Sequence, residues 1–313
     1  MANVDLHALS GEGGRTLSTA WVFSGGGIDG ALQAAVVARA VERRAWHPGE
    51  VRLFGTSTGA YTAVATSLWS GERDMAGRLR DLWPSIASER LILSRVQGRL
   101  IDRFVPPGLR LEDLPIPVSI TVTDVEAGRR EVLDRGPVRE LLLAASSWPL
   151  LHTPVPVEGR LYQDGGMVAY CDLLAADEAG CKQAIAIACC NRAPNRAHHR
   201  RSRAHALGLS QRMHQMEAHL DASSMQQIQR DLLICGDRMP TLLLAPQLPS
   251  RGARISNADR IADDLELGRA LADQVLDRRP YMNVLGRIPT SAIIDTPPQL
   301  VTHAAGSVAG HEL

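Results

Sequence analysis

Brief apolar runs alternate with longer helix-compatible stretches over most of the chain. Trp21-Val22-Phe23, Val51-Arg52-Leu53-Phe54 and the run from Ala184 to Cys190 are short, as buried strands are. The pattern predicts strands near 18–24, 51–55, 117–123, 130–134 and 184–190, with helices near 31–44, 59–70, 72–83, 137–145 and 172–180. Such alternation predicts a three-layer α/β/α domain around a largely parallel sheet. A long helix is expected over about 204–235, where Leu207, Leu209, Met213, Met216, Leu220, Met225 and Ile228 recur at core-like spacing. Residues 1–16 are a polar extension and 17–280 the α/β domain. Beyond about 280, Pro, Gly, Thr and Ala predict an irregular tail over 281–313.

Two breaks between strand and helix carry candidate chemistry. In Gly55-Thr56-Ser57-Thr58-Gly59, a sharp turn lifts the Ser57 hydroxyl out of the backbone, and side chains at Gly55 and Gly59 would collide with the neighbouring strand and helix. A chance G-x-S-x-G occurs in roughly one chain in ten of this length, so on the pattern alone a tight turn with a capping serine is the better reading. One strand earlier, Ser24-Gly25-Gly26-Gly27-Ile28-Asp29-Gly30 opens a helix and leaves backbone N–H groups uncovered. Such a loop holds an anion, or the oxyanion of a tetrahedral intermediate. It matches neither a P-loop nor a dinucleotide fingerprint. A serine elbow one strand later favours the oxyanion reading over a flexible turn.

Only one strand precedes Ser57, so the α/β-hydrolase order, with several strands before the elbow, does not apply. Ten histidines are present, and His152 alone is flanked by apolar residues on the core side; a structural role suits it best. Asp164, in Gln163-Asp164-Gly165-Gly166, is a second candidate partner, with an ordinary Asp-Gly turn as its alternative.

Gly-Gly-Gly-x-x-Gly, Gly-x-Ser-x-Gly and Asp-Gly-Gly, in that order, resemble the patatin-like phospholipases. Leu114-Pro115-Ile116-Pro117 with Thr123-Asp124-Val125-Glu126-Ala127-Gly128 is similar to the family's central strand and hairpin. Ala144-Ala145-Ser146-Ser147-Trp148-Pro149 is similar to its approach to the aspartate. The likeness covers about residues 17–192, with a looser match at Leu242-Leu243-Leu244-Ala245-Pro246. It implies a Ser-Asp dyad without histidine: Ser57 as nucleophile, Asp164 as base, and amides around Gly25, Gly26 and Gly27 as the oxyanion hole. It implies no cofactor or metal, and a lipid or small carboxylic ester as substrate. Two alternatives stay open: a weakly active lipid-binding or regulatory relative, and an acyltransferase using the same acyl-serine. The chain departs from the family at Asp29, where many members carry Arg or Lys. A helix N-cap role is the favoured reading of this residue.

Composition narrows the setting. Lys+Arg and Asp+Glu both number 34, so no net charge draws the chain to nucleic acid. Five cysteines without C-x-x-C spacing argue against a disulfide framework or zinc site and suit a reducing, cytoplasmic compartment. The first 18 residues contain no apolar h-region, and no stretch approaches the 18 apolar residues of a spanning helix. Contact with lipid is therefore expected at a membrane surface only. Arg192, Arg196, Arg200, Arg201 and Arg203 read first as a solvated loop, and second as a lobe that docks on lipid headgroups. No motif indicates an oligomeric state.

Overall fold

β1 (Thr19–Phe23) lies inside a nine-stranded sheet of order β5-β6-β3-β2-β1-β7-β8-β9, with β4 paired to β3. The computed structural model describes residues 18–46, 51–87, 94–149, 151–190, 209–246, 248, 258–277 and 292–294. The other strands are β2 (Val51–Thr56), β3 (Val118–Asp124), β4 (Arg129–Leu133), β5 (Val155–Val157), β6 (Arg160–Asp164), β7 (Gln183–Ile187), β8 (Thr241–Leu244) and β9 (Ala292–Ile294). β3, β2, β1, β7, β8 and β9 run parallel, while β4, β5 and β6 join antiparallel at the β3 side. The sheet is mixed and largely parallel, as the alternation predicted.

Successive residues of the central strands face opposite layers, and two hydrophobic clusters follow from that period of two. Trp21, Phe23, Leu53, Ile185, Ile187, Leu242 and Leu244 face one cluster. It is completed by α1 (Gly30–Glu42), α2 (Thr58–Leu68), α3 (Met75–Ala87), α4 (Ser94–Phe104), α5 (Val138–Ala145) and α8 (Ala258–Asp277). Ala20, Val22, Phe54, Ala184, Ala186 and Leu243 face the other cluster, against α6 (Leu173–Glu178) and α7 (Leu209–Cys235). Helices on both faces of the sheet make the three-layer α/β/α arrangement.

The expected strands and helices appear within a few residues of their sequence-derived bounds. The pattern missed β5, β6, β8, β9, α4 and α8. Within the stretch expected to be an irregular tail, Ala292–Ile294 pairs with β8 as a strand, and the other residues of 281–313 lie outside the described ones. In the long helix, Met225 and Ile228 are buried, as their spacing predicted. The 1–16 extension and the arginine-rich segment 192–203 lie outside the described residues.

The register carries the functional consequence. Phe23 pairs with Gly55, and β7 flanks β1 on its other side. The chain runs outward from β1 through β2 and β3, then returns to lay β7 on the opposite edge. That is a topological switch point, where open α/β sheets place their ligand crevice. Both candidate motifs leave the sheet there.

α8 closes on α1 through Gly268, where a Cβ would strike Leu32 O and come within 2.8 Å of Ala35 Cβ. Arg39 of α1 and Arg43, just after it, pair with Asp273 further along, at 2.8 and 2.9 Å. Alanine normally stabilises a helix interior over glycine by up to about 1 kcal/mol. Here the overlap with a backbone carbonyl outweighs that gain. Gly268→Ala should lower the free energy of unfolding by about 1–2 kcal/mol in a denaturant titration. A more stable variant would mean that the two helices are free to separate.

Candidate active site

The β2–α2 turn is tight because two backbones share one space. A Cβ on Gly55 would lie 2.5 Å from Gly59 O and 2.6 Å from Ala60 N. A Cβ on Gly59 would overlap Phe23 O and lie 2.7 Å from Ser24 O. Between them Ser57 has φ 53° and ψ −124°, a left-handed conformation that costs a side-chain-bearing residue on the order of 1–3 kcal/mol. The turn therefore presents the Ser57 hydroxyl at the N-terminus of α2, where the helix dipole favours negative charge.

Asp164 comes from the antiparallel side. β6 pairs with β3 so that Val122 faces Asp164, while Thr121 of β3 faces Thr56 of β2. Two lateral steps across the sheet thus put the end of β6 beside the elbow. Ser57 Oγ donates to Asp164 Oδ2 at 2.6 Å, and Gly166 N–H donates to Asp164 Oδ1 at 2.7 Å. The Asp164 main chain is held as well: its N–H donates to Ser147 O (3.1 Å), and its carbonyl accepts from Thr123 Oγ1 (2.9 Å). Gly165 is needed because a Cβ there would strike Thr121 O. The Asp-Gly-Gly sequence is thus both a tight turn and the mount for a buried carboxylate.

That carboxylate is only 3% exposed. Burial pushes its pKa up to about 6, against the lowering pull of the Ser57 and Gly166 hydrogen bonds. Nearby, the Tyr61 phenol is held well above its usual range, first by burial and also by the Asp164 charge. Ser146 Oγ donates to Leu142 O, which leaves Tyr61 O–H as the donor in its 3.0 Å contact with Ser146.

The glycine loop is braced from behind. Gln33 Nε2 donates to Ser24 O at 2.8 Å, Cys189 N–H donates to Ser24 Oγ at 2.8 Å, and Tyr170 O–H donates to Cys189 O at 2.9 Å. Gly26 (φ 155°) and Gly27 (φ 61°) take conformations that favour glycine, and a Cβ on Gly26 would lie 2.5 Å from Cys189 Cβ. Gly25 differs from the sequence expectation: its N–H is already bound to Tyr170 O at 2.8 Å. Among the described residues, the Gly26 and Gly27 N–H groups meet no acceptor. Gly25 instead allows close approach, with its Cβ position 3.5 Å from Ser57 Cβ.

Asp29 needs a correction. It stands at the N-cap position of α1, yet its backbone is already helical and its side chain makes no capping hydrogen bond. Its carboxylate is fully buried and pairs with Arg260 Nη2 at 2.6 Å. A buried counter-ion competes better for that charge than the first-turn amides. His152 is engaged in its own turn, where Nδ1 accepts from Trp148 N–H at 3.2 Å. Tyr170, Gln33, Tyr61 and Arg260 had no recognisable signal in the sequence. Among the described residues, no cluster of three or more His, Cys, Asp or Glu could hold a metal ion, and no helix is long and apolar enough to cross a membrane.

A model of the patatin-like phospholipase family matches residues 21–177, half of the chain and every part of this site except Arg260 and Cys189. The chain belongs to the patatin-like phospholipases. Uncharacterized NTE family proteins of Mycobacterium tuberculosis and Mycobacterium bovis are 27% identical to it over 169 residues, covering 51% of this chain and 46% of theirs. The chain thus spans about half the length of the curated relatives it matches. VipD from Legionella pneumophila is 12% identical, with a TM-score of 0.47 over 84% of this chain and 67% of that one.

A raised carboxyl pKa is also a stability statement. Protonated Asp164 suits the dry pocket, so this contribution is complete below the unfolded-state pKa near 4 and is lost as pH rises through about 6. Asp164→Asn should therefore be more stable than wild type at pH 7, by about 1–3 kcal/mol. The gain should vanish toward pH 4. Thermal melts at the two pH values check this, and equal stabilities at pH 7 would contradict it.

Proposed function

We propose that this patatin-like protein is a serine acyl hydrolase that cleaves lipid or small carboxylic esters through a Ser57–Asp164 dyad. The observation that carries the reading is the 2.6 Å hydrogen bond from Ser57 Oγ to a buried carboxylate of raised pKa. A free carboxylate is a poor base for a serine hydroxyl, and a pKa near 6 moves it toward the working range.

In the forward step Asp164 takes the Ser57 proton as Oγ attacks the ester carbonyl carbon. The carbonyl π electrons move onto oxygen, and the Gly26 and Gly27 N–H groups stabilise that oxyanion. Collapse of the intermediate breaks the bond to the alcohol, which leaves with the proton from Asp164. Water then attacks the acyl-serine while Asp164 accepts its proton. The second collapse releases the carboxylic acid, and the proton returns to Ser57. The positive end of α2 and the neutral phenol of Tyr61 suit this sequence, since neither adds negative charge beside the dyad. Gly25 shapes the cleft without lending its amide.

A fluorophosphonate probe should label wild type and fail to label Ser57→Ala. Asp164→Ala should lose turnover of a short-chain nitrophenyl ester by at least about 10³-fold. For wild type, kcat/KM should rise with pH and reach half its plateau at about 6, because only ionised Asp164 can accept the proton. Near-normal hydrolysis by Asp164→Ala would remove the dyad. Release of free acid from a lipid panel, identified by mass, assigns headgroup and acyl position.

A further inference from the structure

Asp29 places a carboxylate in the turn that carries the Gly26 and Gly27 amides. Unopposed, it would work against a negative charge developing on substrate oxygen. Its partner comes from α8, 231 positions along the chain. Arg260 Nη2 lies 2.6 Å from Asp29 Oδ1, and Arg260 Nε lies 3.7 Å from Asp264 Oδ2. All three side chains are buried, at 4% exposure or less.

Arg260 is shared by two carboxylates. Asp264 is held above the ordinary carboxylate range, first by burial and next by the Asp29 charge, with Arg260 pulling the other way and a side-chain hydrogen bond to Asp29 adding to the rise. The guanidinium is thus the cation that faces the Asp29 carboxylate. The main chain couples the pair to the loop. Asp29 N–H donates to Gly26 O at 3.2 Å, and the Cys189 thiol donates to Asp29 O at 3.3 Å. A shift of Asp29 therefore moves the turn that holds both free amides.

We propose that Arg260 is a positioning residue for the glycine loop, neutralising Asp29 and keeping the Gly26 and Gly27 amides in place beside Ser57. The inference rests on the acyl-hydrolase reading above. It makes α8 part of the working unit, although this helix lies beyond residues 21–177.

Arg260→Gln, Arg260→Lys and the double variant Asp29→Asn/Arg260→Gln, assayed at pH 7 on a nitrophenyl ester with circular-dichroism melts alongside, test it. Arg260→Gln should lose about tenfold in kcat with KM within about threefold, the effect of one unbalanced charge near the oxyanion. Lysine should recover most of that loss. The double variant, which buries no lone charge, should return to within about threefold of wild-type kcat. A folded Arg260→Gln with wild-type kcat overturns the proposal, as does a folded double variant no better than that single one. If Arg260→Gln does not fold, the double variant and Arg260→Lys decide: kcat within about threefold of wild type in both supports the proposal, and a folded double variant about tenfold down overturns it. Wild type inert toward every ester would overturn the hydrolase reading and this inference together. Active wild type indifferent to Arg260 would overturn this inference alone.

Discussion

The contact of Gly59 with the main chain of Phe23 and Ser24 is the constraint on which the site depends. It forces the first turn of α2 onto the end of β1, with no room for a side chain between them. The strained Ser57 conformation is thereby held in place, and the glycine loop that follows β1 is brought against the serine. Because β1 and β2 are in register from Thr19 and Val51 onward, the two turns leave the sheet at the same level. A parallel sheet and one glycine contact thus bring the two turns together.

The second requirement is a dry carboxylate. Asp164 reaches the elbow because β6 runs antiparallel along β3 and ends opposite Val122. Its main chain is fixed at both the N–H and the carbonyl, so Oδ2 has one geometry toward Ser57. Burial raises its pKa, and that same burial costs stability once the group ionises. The raised pKa and the loss of stability at neutral pH come from one cause. Two groups avoid adding charge: the Tyr61 phenol is held well above its usual range, and Asp29 is paired with Arg260.

Much of the scaffold was legible in the chain. The elbow glycines, the glycine loop and the strand–helix alternation are local patterns, and backbone geometry imposes them wherever they occur. β6 was not legible, since Arg160-Leu161-Tyr162-Gln163-Asp164 lacks a continuous apolar run and its first two residues are exposed. β9 was hidden in a segment rich in proline and threonine. Gly25 was misjudged as an amide donor because the acceptor, Tyr170 O, lies far along the chain. Asp29 looked like a cap for the same reason, since its true partner sits in α8.

The sequence by itself determined the family, the layered α/β class and which serine stands on a sharp turn. These follow from residue identity and spacing within a few positions, where the allowed backbone conformations are few. Only the tertiary structure decided that Asp164 meets Ser57, that the Gly26 and Gly27 amides meet no acceptor among the described residues, and that Arg260 pairs with Asp29. Those outcomes depend on strand order and on helices packing from opposite ends of the chain. Hydrogen-bond and charge partners are chosen by distance in space, and no local periodicity encodes that distance.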